Sequence, residues 1–320
     1  MPQRLQQSVE VTEKLTGLRL DQAAAELFPD FSRARLQQWV RDGGLTLNGH
    51  TAKPKDKVAL GDQLVLEVEL EVQTDHQAQA IALDIVYEDE AIIVLNKPAG
   101  LVVHPAAGHQ DGTLLNALLH HEPMLDKVPR AGIVHRLDKD TSGLMVVARS
   151  LEAQNSLVTQ LQDRSMGREY DAVVVGALIS GGTVDAPIGR HPKDRKRQAV
   201  VSHGGKPAVT HYRVVERFRG HSHIRCKLET GRTHQIRVHM AHLHHALVGD
   251  PVYAGRMRIP PGSSDALKEI VRVFPRQALH ARQLTLQHPL TGETMTWRRD
   301  SPEDMQTLLR ILAEDTAAFS

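Results

Sequence analysis

Residues 132–149 read GIVHRLDKDTSGLMVVAR, and the reading of the fold turns on this stretch. Two apolar runs, Gly132-Ile133-Val134 and Leu144 to Ala148, bracket His135, Arg136, Asp138, Lys139 and Asp140. Short apolar runs belong to buried strands, and a buried strand does not carry charge without a partner or a task. Continued as a strand, IVHRLD would put Arg136 and Asp138 on one face, because side chains alternate with period two. Thr141-Ser142-Gly143 then reads as a turn. A carboxylate beside an arginine at a strand end is either a catalytic pair or an ion pair capping a turn. Spacing alone leaves both open.

On either side the pattern is strand-rich. IALDIVYEDEAIIVLNKPAG (81–100) predicts two strands about an acidic turn, and further strand-like runs fall at 169–176, 208–217, 223–229 and 282–287. Helices are predicted at 151–163 and 301–313, the latter with Ser301 as cap and Pro302 in its first turn. Strands outnumber helices without alternating with them, so the fold class is α+β with a mixed or antiparallel sheet. No glycine-rich phosphate fingerprint appears, and Cys226 is the only cysteine, which excludes an intrachain disulfide and thiolate zinc sites. No cofactor is expected.

A second charged patch lies at LETGRTHQIRVHMAHLHHALVGDPVYAG (228–255). Thr230-Gly231-Arg232-Thr233 reads as a turn into a helix and a seat for phosphate. On that helix Thr233, Arg237 and Met240 would share a stripe. Arg237, flanked by Ile236 and Val238, reads as partly buried and in need of a carboxylate, for which Asp138 is the candidate. His239, His242, His244 and His245 lack a metal-site spacing, and are expected to pack, cap backbone or face RNA. Tyr170 stands at the start of a predicted strand, where its ring either packs in the core or offers a stacking surface for a base.

Ahead of this region, residues 18–70 read as a compact unit: a helix over 18–28, a second from Ser32, then strands at 45–49 and 63–70. Arg33, Arg35, Arg41, Lys53, Lys55 and Lys57 cluster here, and GRHPKDRKRQ (189–198) adds Arg190, Lys193, Arg195, Lys196 and Arg197. Each cluster alone is either a solvated surface or a phosphate contact, and two in one chain favour nucleic acid. Residues 1–17 read as a tail, 71–80 as a polar linker and 81–320 as a larger domain. With no apolar stretch of membrane-spanning length and no leader-like start, the expectation is a cytoplasmic protein that binds no membrane.

FSRARLQQWVRDGGLTLNGHTAKPKDKVALGDQLVLE resembles an S4 RNA-binding domain; a small protein-interaction module is the competing reading. HRLDKDTSGLMVVAR resembles the signature of the RluA-type family of pseudouridine synthases. NKPAGLVVHP (96–105), REYDAVVVG (168–176), residues 231–255 and FPRQALHARQLTLQHPLTGE (274–293) follow in that family's order. The arrangement is most similar to members acting on large-subunit (23S) ribosomal RNA. The resemblance implies a cofactor-free isomerase, monomeric, whose partner is ribosomal RNA or the pre-ribosomal large subunit. It implies Asp138 as the catalytic aspartate, Tyr170 as the active-site tyrosine and Arg237 as the partner of the aspartate. Arg136 is implied to hold the RNA open, an apolar residue, with Leu279 as candidate, to lie below the base, and Asp140 to have no catalytic part. Arg33, Arg35 and Arg232 complete the expected RNA contacts. Two rivals remain at this point: a glycoside hydrolase, which needs two working carboxylates, and a non-enzymatic ribosome-binding factor.

Overall fold

A computed structural model describes residues 3–28, 31, 33–70, 76–106, 108–194, 197–255 and 259–319. The chain divides into two compact units, Met1–His76 and Gln77–Ser320.

In the first unit, β1 (Gln3–Glu10), β2 (Leu45–Leu47) and β3 (Gln63–Leu70) form an antiparallel sheet in the order β1-β3-β2. Helices α1 (Leu20–Leu27) and α2 (Arg33–Asp42) pack with it. Leu20, Ala23 and Ala24 of α1 and Leu36 and Val40 of α2 recur at helical spacing and are buried with Leu45, Leu64 and Leu66. Of the expected tail over 1–17, the described residues 3–17 are instead structured. β1 pairs with β3 along its whole length, and Val11 and Leu15 join the core. Gln7, set between Leu5 and Val9, interrupts the apolar alternation that would mark the strand. Ser32, expected as the cap of α2, and residues 71–75 of the expected linker lie outside the described residues.

The second unit is built on a nine-stranded sheet. Its strands are β4 (Ile85–Glu88), β5 (Ile92–Lys97), β6 (Ser142–Ala148), β7 (Gly167–Val175), β8 (Gly182–Asp185), β11 (Val209–Arg217), β12 (His221–Leu228), β13 (Leu279–Gln287) and β14 (Thr294–Arg298). The order is β4-β5-β6-β13-β7-β12-β11-β8, with β14 paired to β13. The β6–β13 pair is parallel and the other pairs are antiparallel, so the sheet is mixed. β9 (Ile188–Arg190) and β10 (Gln198–Val200) form a separate hairpin. The helices are α3 (Leu114–His121), α4 (Leu151–Gln162), α5 (Gln235–His242), α6 (Asp265–Val273) and α7 (Glu303–Ala317). Ser301 does not cap α7, whose N-cap position is Pro302.

Alternation along the strands separates two cores. Met145 and Val147, Tyr170 and Ala172, Ile224 and Cys226, and Leu279 and Ala281 face α3 and the Ile236 and Met240 side of α5. On the opposite face Leu144 and Val146 meet Ala153 and Leu157 of α4, while Val173 meets α6 and α7. β6 and β13 pair at Ser142–His280 and Gly143–Ala281. Gly143 has φ +119° there, and a Cβ would collide with the Ala281 backbone, so only glycine permits the strands to meet.

Candidate active site

Where β6 and β13 part, part of the β6 edge is left open, and residues 133–135 lie against it. Ile133 makes an isolated bridge to Val147, and the Nε2 of His135 accepts the Val146 N–H at 3.1 Å. The segment is therefore not the expected strand. A side chain replaces one ladder bond, and the backbone of 134–138 is irregular. Arg136 and Asp138 do not share a strand face; an irregular segment leading into β6 presents them. Burial, then the charge of Arg168, pushes His135 down to about 3, as suits a ring nitrogen used as an acceptor.

The far side of the Asp138 loop is tied down by Lys97. Its ammonium is fully buried and donates to the carbonyls of Pro98, Leu101 and Lys139, at 2.7, 2.9 and 2.9 Å. Burial pushes Lys97 down to about 7, against the pull of Asp140 and Asp138. The Gly100 N–H also donates to Lys139 O, and the Thr141 N–H closes a turn on Asp138 O.

Arg237, on α5, donates from Nη1 to Asp138 Oδ2 at 2.9 Å. The expected pairing is present, but Asp138 is the lesser partner. Nε and Nη2 bind the two oxygens of Asp250 at 2.7 and 2.9 Å. In the sequence Asp250 is legible only as a residue of the second patch. Nothing in its spacing marks it as the anchor, because the loop after α5 brings it back onto the helix. Burial works against the Arg237 charge, yet the Asp250 bond and the charges of Asp250 and Asp138 raise it further above its usual range.

Tyr253 and His234 complete the cluster. Tyr253 Oη accepts the Gln198 N–H at 3.0 Å and lies 2.8 Å from His234 Nδ1. The other ring nitrogen of His234, Nε2, lies 3.9 Å from Asp138 Oδ1. Burial lowers the His234 pKa, against the charge of Asp138. His234, not Thr233, directly precedes α5, and the Arg232 N–H is taken by the Gln235 side chain. The stripe through Thr233 is thus not formed, and one N–H of the anticipated phosphate seat is occupied. Arg232 is exposed, and its Nε donates to Pro207 O.

Asp138, Arg237, Tyr170, Arg136, Arg232 and Leu279 all line one cavity of about 550 Å³. Tyr170 is a mid-strand residue of β7 and 6% exposed, and burial raises its hydroxyl pKa. A second cavity of about 370 Å³ shares Arg136, Asp138, His234 and Arg237 with the first and adds Asp140. Asp140 does not line the cavity that contains Tyr170, and Glu229, the other acid there, is held by Arg164 and His211, so Asp138 and Asp140 do not form in that cavity the pair a glycoside hydrolase needs. No cluster with metal-ligand character occurs among the described residues. His239 instead bonds Thr210 and the Ala186 carbonyl, and His245 the Val175 carbonyl.

The basic clusters are partly committed. Arg33 reaches the buried carboxylate of Asp21 at 2.7 Å, and Arg35 lies 5.0 Å from the Trp39 ring centre. Arg190 and Lys193 are exposed on the β9–β10 hairpin, while Arg195 and Lys196 lie outside the described residues.

A mixed sheet that brings Asp138, the doubly anchored Arg237 and the buried Tyr170 to a single cavity builds the centre of an enzyme, and Glu229, at the same cavity, is paired with Arg164 and His211. Likeness to known proteins specifies which. A model of the RNA pseudouridylate synthase family matches residues 91–242, and an S4 domain model matches 18–64. The chain is 61% identical over 319 residues to ribosomal large subunit pseudouridine synthase D of Pseudomonas aeruginosa, covering 100% of this chain and 99% of that one. It is 55% identical over 316 residues to the Escherichia coli protein of the same name, covering 98% and 97%. Human RNA pseudouridylate synthase domain containing 4 superposes with a TM-score of 0.56 at 27% identity, covering 72% of this chain and 92% of that one. The chain belongs to the RNA pseudouridine synthase family and is an isomerase of uridine in RNA.

Proposed function

We propose that this enzyme converts uridines of large-subunit ribosomal RNA to pseudouridine, with Asp138 as its catalytic carboxylate. The observation that carries the reading is the Asp138–Arg237 bond inside the cavity that Tyr170 also lines. Full-length likeness to relatives named for the large ribosomal subunit supports the substrate, as does the S4 match.

In this reading the uracil ring stacks on Tyr170, with Leu279 on the apolar side of the cavity and Asp138 against the sugar. The N1–C1′ bond breaks, the uracil turns within the cavity, and C5 bonds to C1′. The C5 hydrogen then leaves as a proton, and N1 gains one. Nothing is oxidised or reduced and no group is donated, so the reaction needs no cofactor. Arg237 positions Asp138 and takes its own orientation from Asp250. Arg136, exposed and shared by both cavities, contacts the RNA around the target, and Arg232 with the basic residues of the first unit binds further along it. On this reading the enzyme is a monomer working in the cytoplasm, where ribosomal RNA is met.

The test is tritium release. Large-subunit ribosomal RNA from cells lacking the enzyme, labelled at uracil C5, should release tritium to water on incubation and gain pseudouridine at the same sites. Tight binding without release would leave a ribosome-binding factor as the better reading.

A further inference from the structure

Three arginines are buried among the described residues: Arg168, Arg237 and Arg276, at 7, 4 and 5% exposure. Two of them are paired. Arg237 holds Asp250 and Asp138, and Arg276 grips both oxygens of Asp304 at 2.7 and 2.8 Å. Arg168 has no such partner. Among the described residues it makes no side-chain hydrogen bond and no ion pair, and its Nε is buried without an acceptor. A buried guanidinium left uncompensated is costly, and a native fold that retains one has a use for it.

The surroundings of Arg168 are built to hold it where it is. It stands on β7 two residues before Tyr170, so both side chains project from the same face, about 7 Å apart along the strand. Both line the 550 Å³ cavity with Asp138. The guanidinium lies against Gly231, where a Cβ would stand 2.7 Å from Nη1, so the absence of a side chain at 231 keeps the space for it. Its charge acts on both neighbours, opposing protonation of His135 and favouring ionisation of Tyr170.

We propose that Arg168 is the seat of a phosphodiester of the RNA flanking the uridine that occupies the cavity. This deepens the proposed function and rests on that reading. The cation lacks one negative charge, and RNA supplies one per nucleotide, whereas the uracil ring offers only neutral carbonyls. The spacing to Tyr170 is within the reach of one nucleotide. A base stacked on the tyrosine therefore brings a neighbouring phosphate towards Arg168, which fixes the register of the strand as well as its affinity. The guanidinium fork matches phosphate oxygens in a way that a lysine does not.

The test replaces the phosphates around the target uridine, one at a time, with neutral methylphosphonates, and measures kcat and KM by tritium release for wild type, Arg168→Met and Arg168→Lys. Wild type should lose roughly tenfold or more in kcat/KM at one linkage beside the target, chiefly through KM. Arg168→Met should show that loss already with native RNA and no further loss at that linkage, while Arg168→Lys recovers part of it. If Arg168→Met stays as sensitive as wild type at every linkage, the proposal is overturned. If Arg168→Met does not fold, the wild-type scan still decides, because insensitivity to both linkages beside the target also overturns it. Failure of wild type to convert native large-subunit RNA strikes at the substrate reading instead, and the scan then uses whichever RNA the enzyme does convert.

Discussion

Asp250 holds Arg237 by two bonds, from Nε and Nη2, and leaves only Nη1 to reach Asp138. Burial alone would raise the Asp250 carboxyl, but Arg237 and the N–H groups of Val252 and Tyr253 hold it below its usual range. The two acids are therefore unequal. Asp250 is buried and structural, whereas Asp138 is half-buried and faces the cavity.

Asp138→Asn should accordingly keep the fold while isomerisation falls at least about a hundredfold, since Arg237 retains its stronger partner. Circular dichroism and RNA binding near wild type, with turnover abolished, are the expected outcome. Turnover above a tenth of wild type would remove Asp138 from the centre of the mechanism.

Asp250→Asn should behave in the opposite way. It leaves a buried guanidinium with Asp138 as its one charged partner, and the cost is about 3 kcal/mol of stability by urea unfolding. In the fraction that folds, kcat should fall more than KM changes, because the arginine no longer has the anchor that orients it towards Asp138. An unchanged unfolding midpoint would mean that Arg237 finds its orientation elsewhere.

Lys97 predicts a pH dependence. Its folded pKa of about 7 lies below the ordinary 10.5, so above pH 7 the unfolded chain binds a proton that the folded chain does not. The contribution of this group to stability thus rises with pH from about 7 to 10.5, by at most about 1.4 kcal/mol per unit. Unfolding midpoints at pH 7.5 and 9 should show wild type gaining on Lys97→Met as the pH rises. A constant difference between the two would mean that Lys97 is not depressed.

For the first unit, the informative targets are Lys53, Lys55 and Lys57, which are exposed in the loop after β2. Arg33 is a poor choice because its removal strips the buried Asp21, whose carboxyl is held low against burial by Arg33, Gln37 and Arg19. Replacing the three lysines by serine should weaken RNA binding and shallow its salt dependence. The log–log slope should fall by about 0.7 to 0.9 for each phosphate no longer neutralised. Turnover at saturating RNA should stay near wild type. Unaltered affinity and slope would mark this unit as a site for a protein partner.

The sequence by itself determined the class of fold and singled out residues that come together at one cavity. Long motifs carried Asp138, Tyr170 and Arg237, and alternation carried most strands of the mixed sheet, because burial on one or both faces is written directly into residue order. Three things were decided only by tertiary structure. The segment 133–138 is not a strand, because β13 leaves β6 after Gly143 and His135 fills the vacant edge with a side-chain bond. Asp250 rather than Asp138 is the main anchor of Arg237, because a loop after α5 folds back to place it there. Arg168 is left without a partner among the described residues, a property no pattern contains. Periodicity reports which side chains face inwards; it does not report which charge each one finds there, since that depends on how residues remote in the chain are brought together.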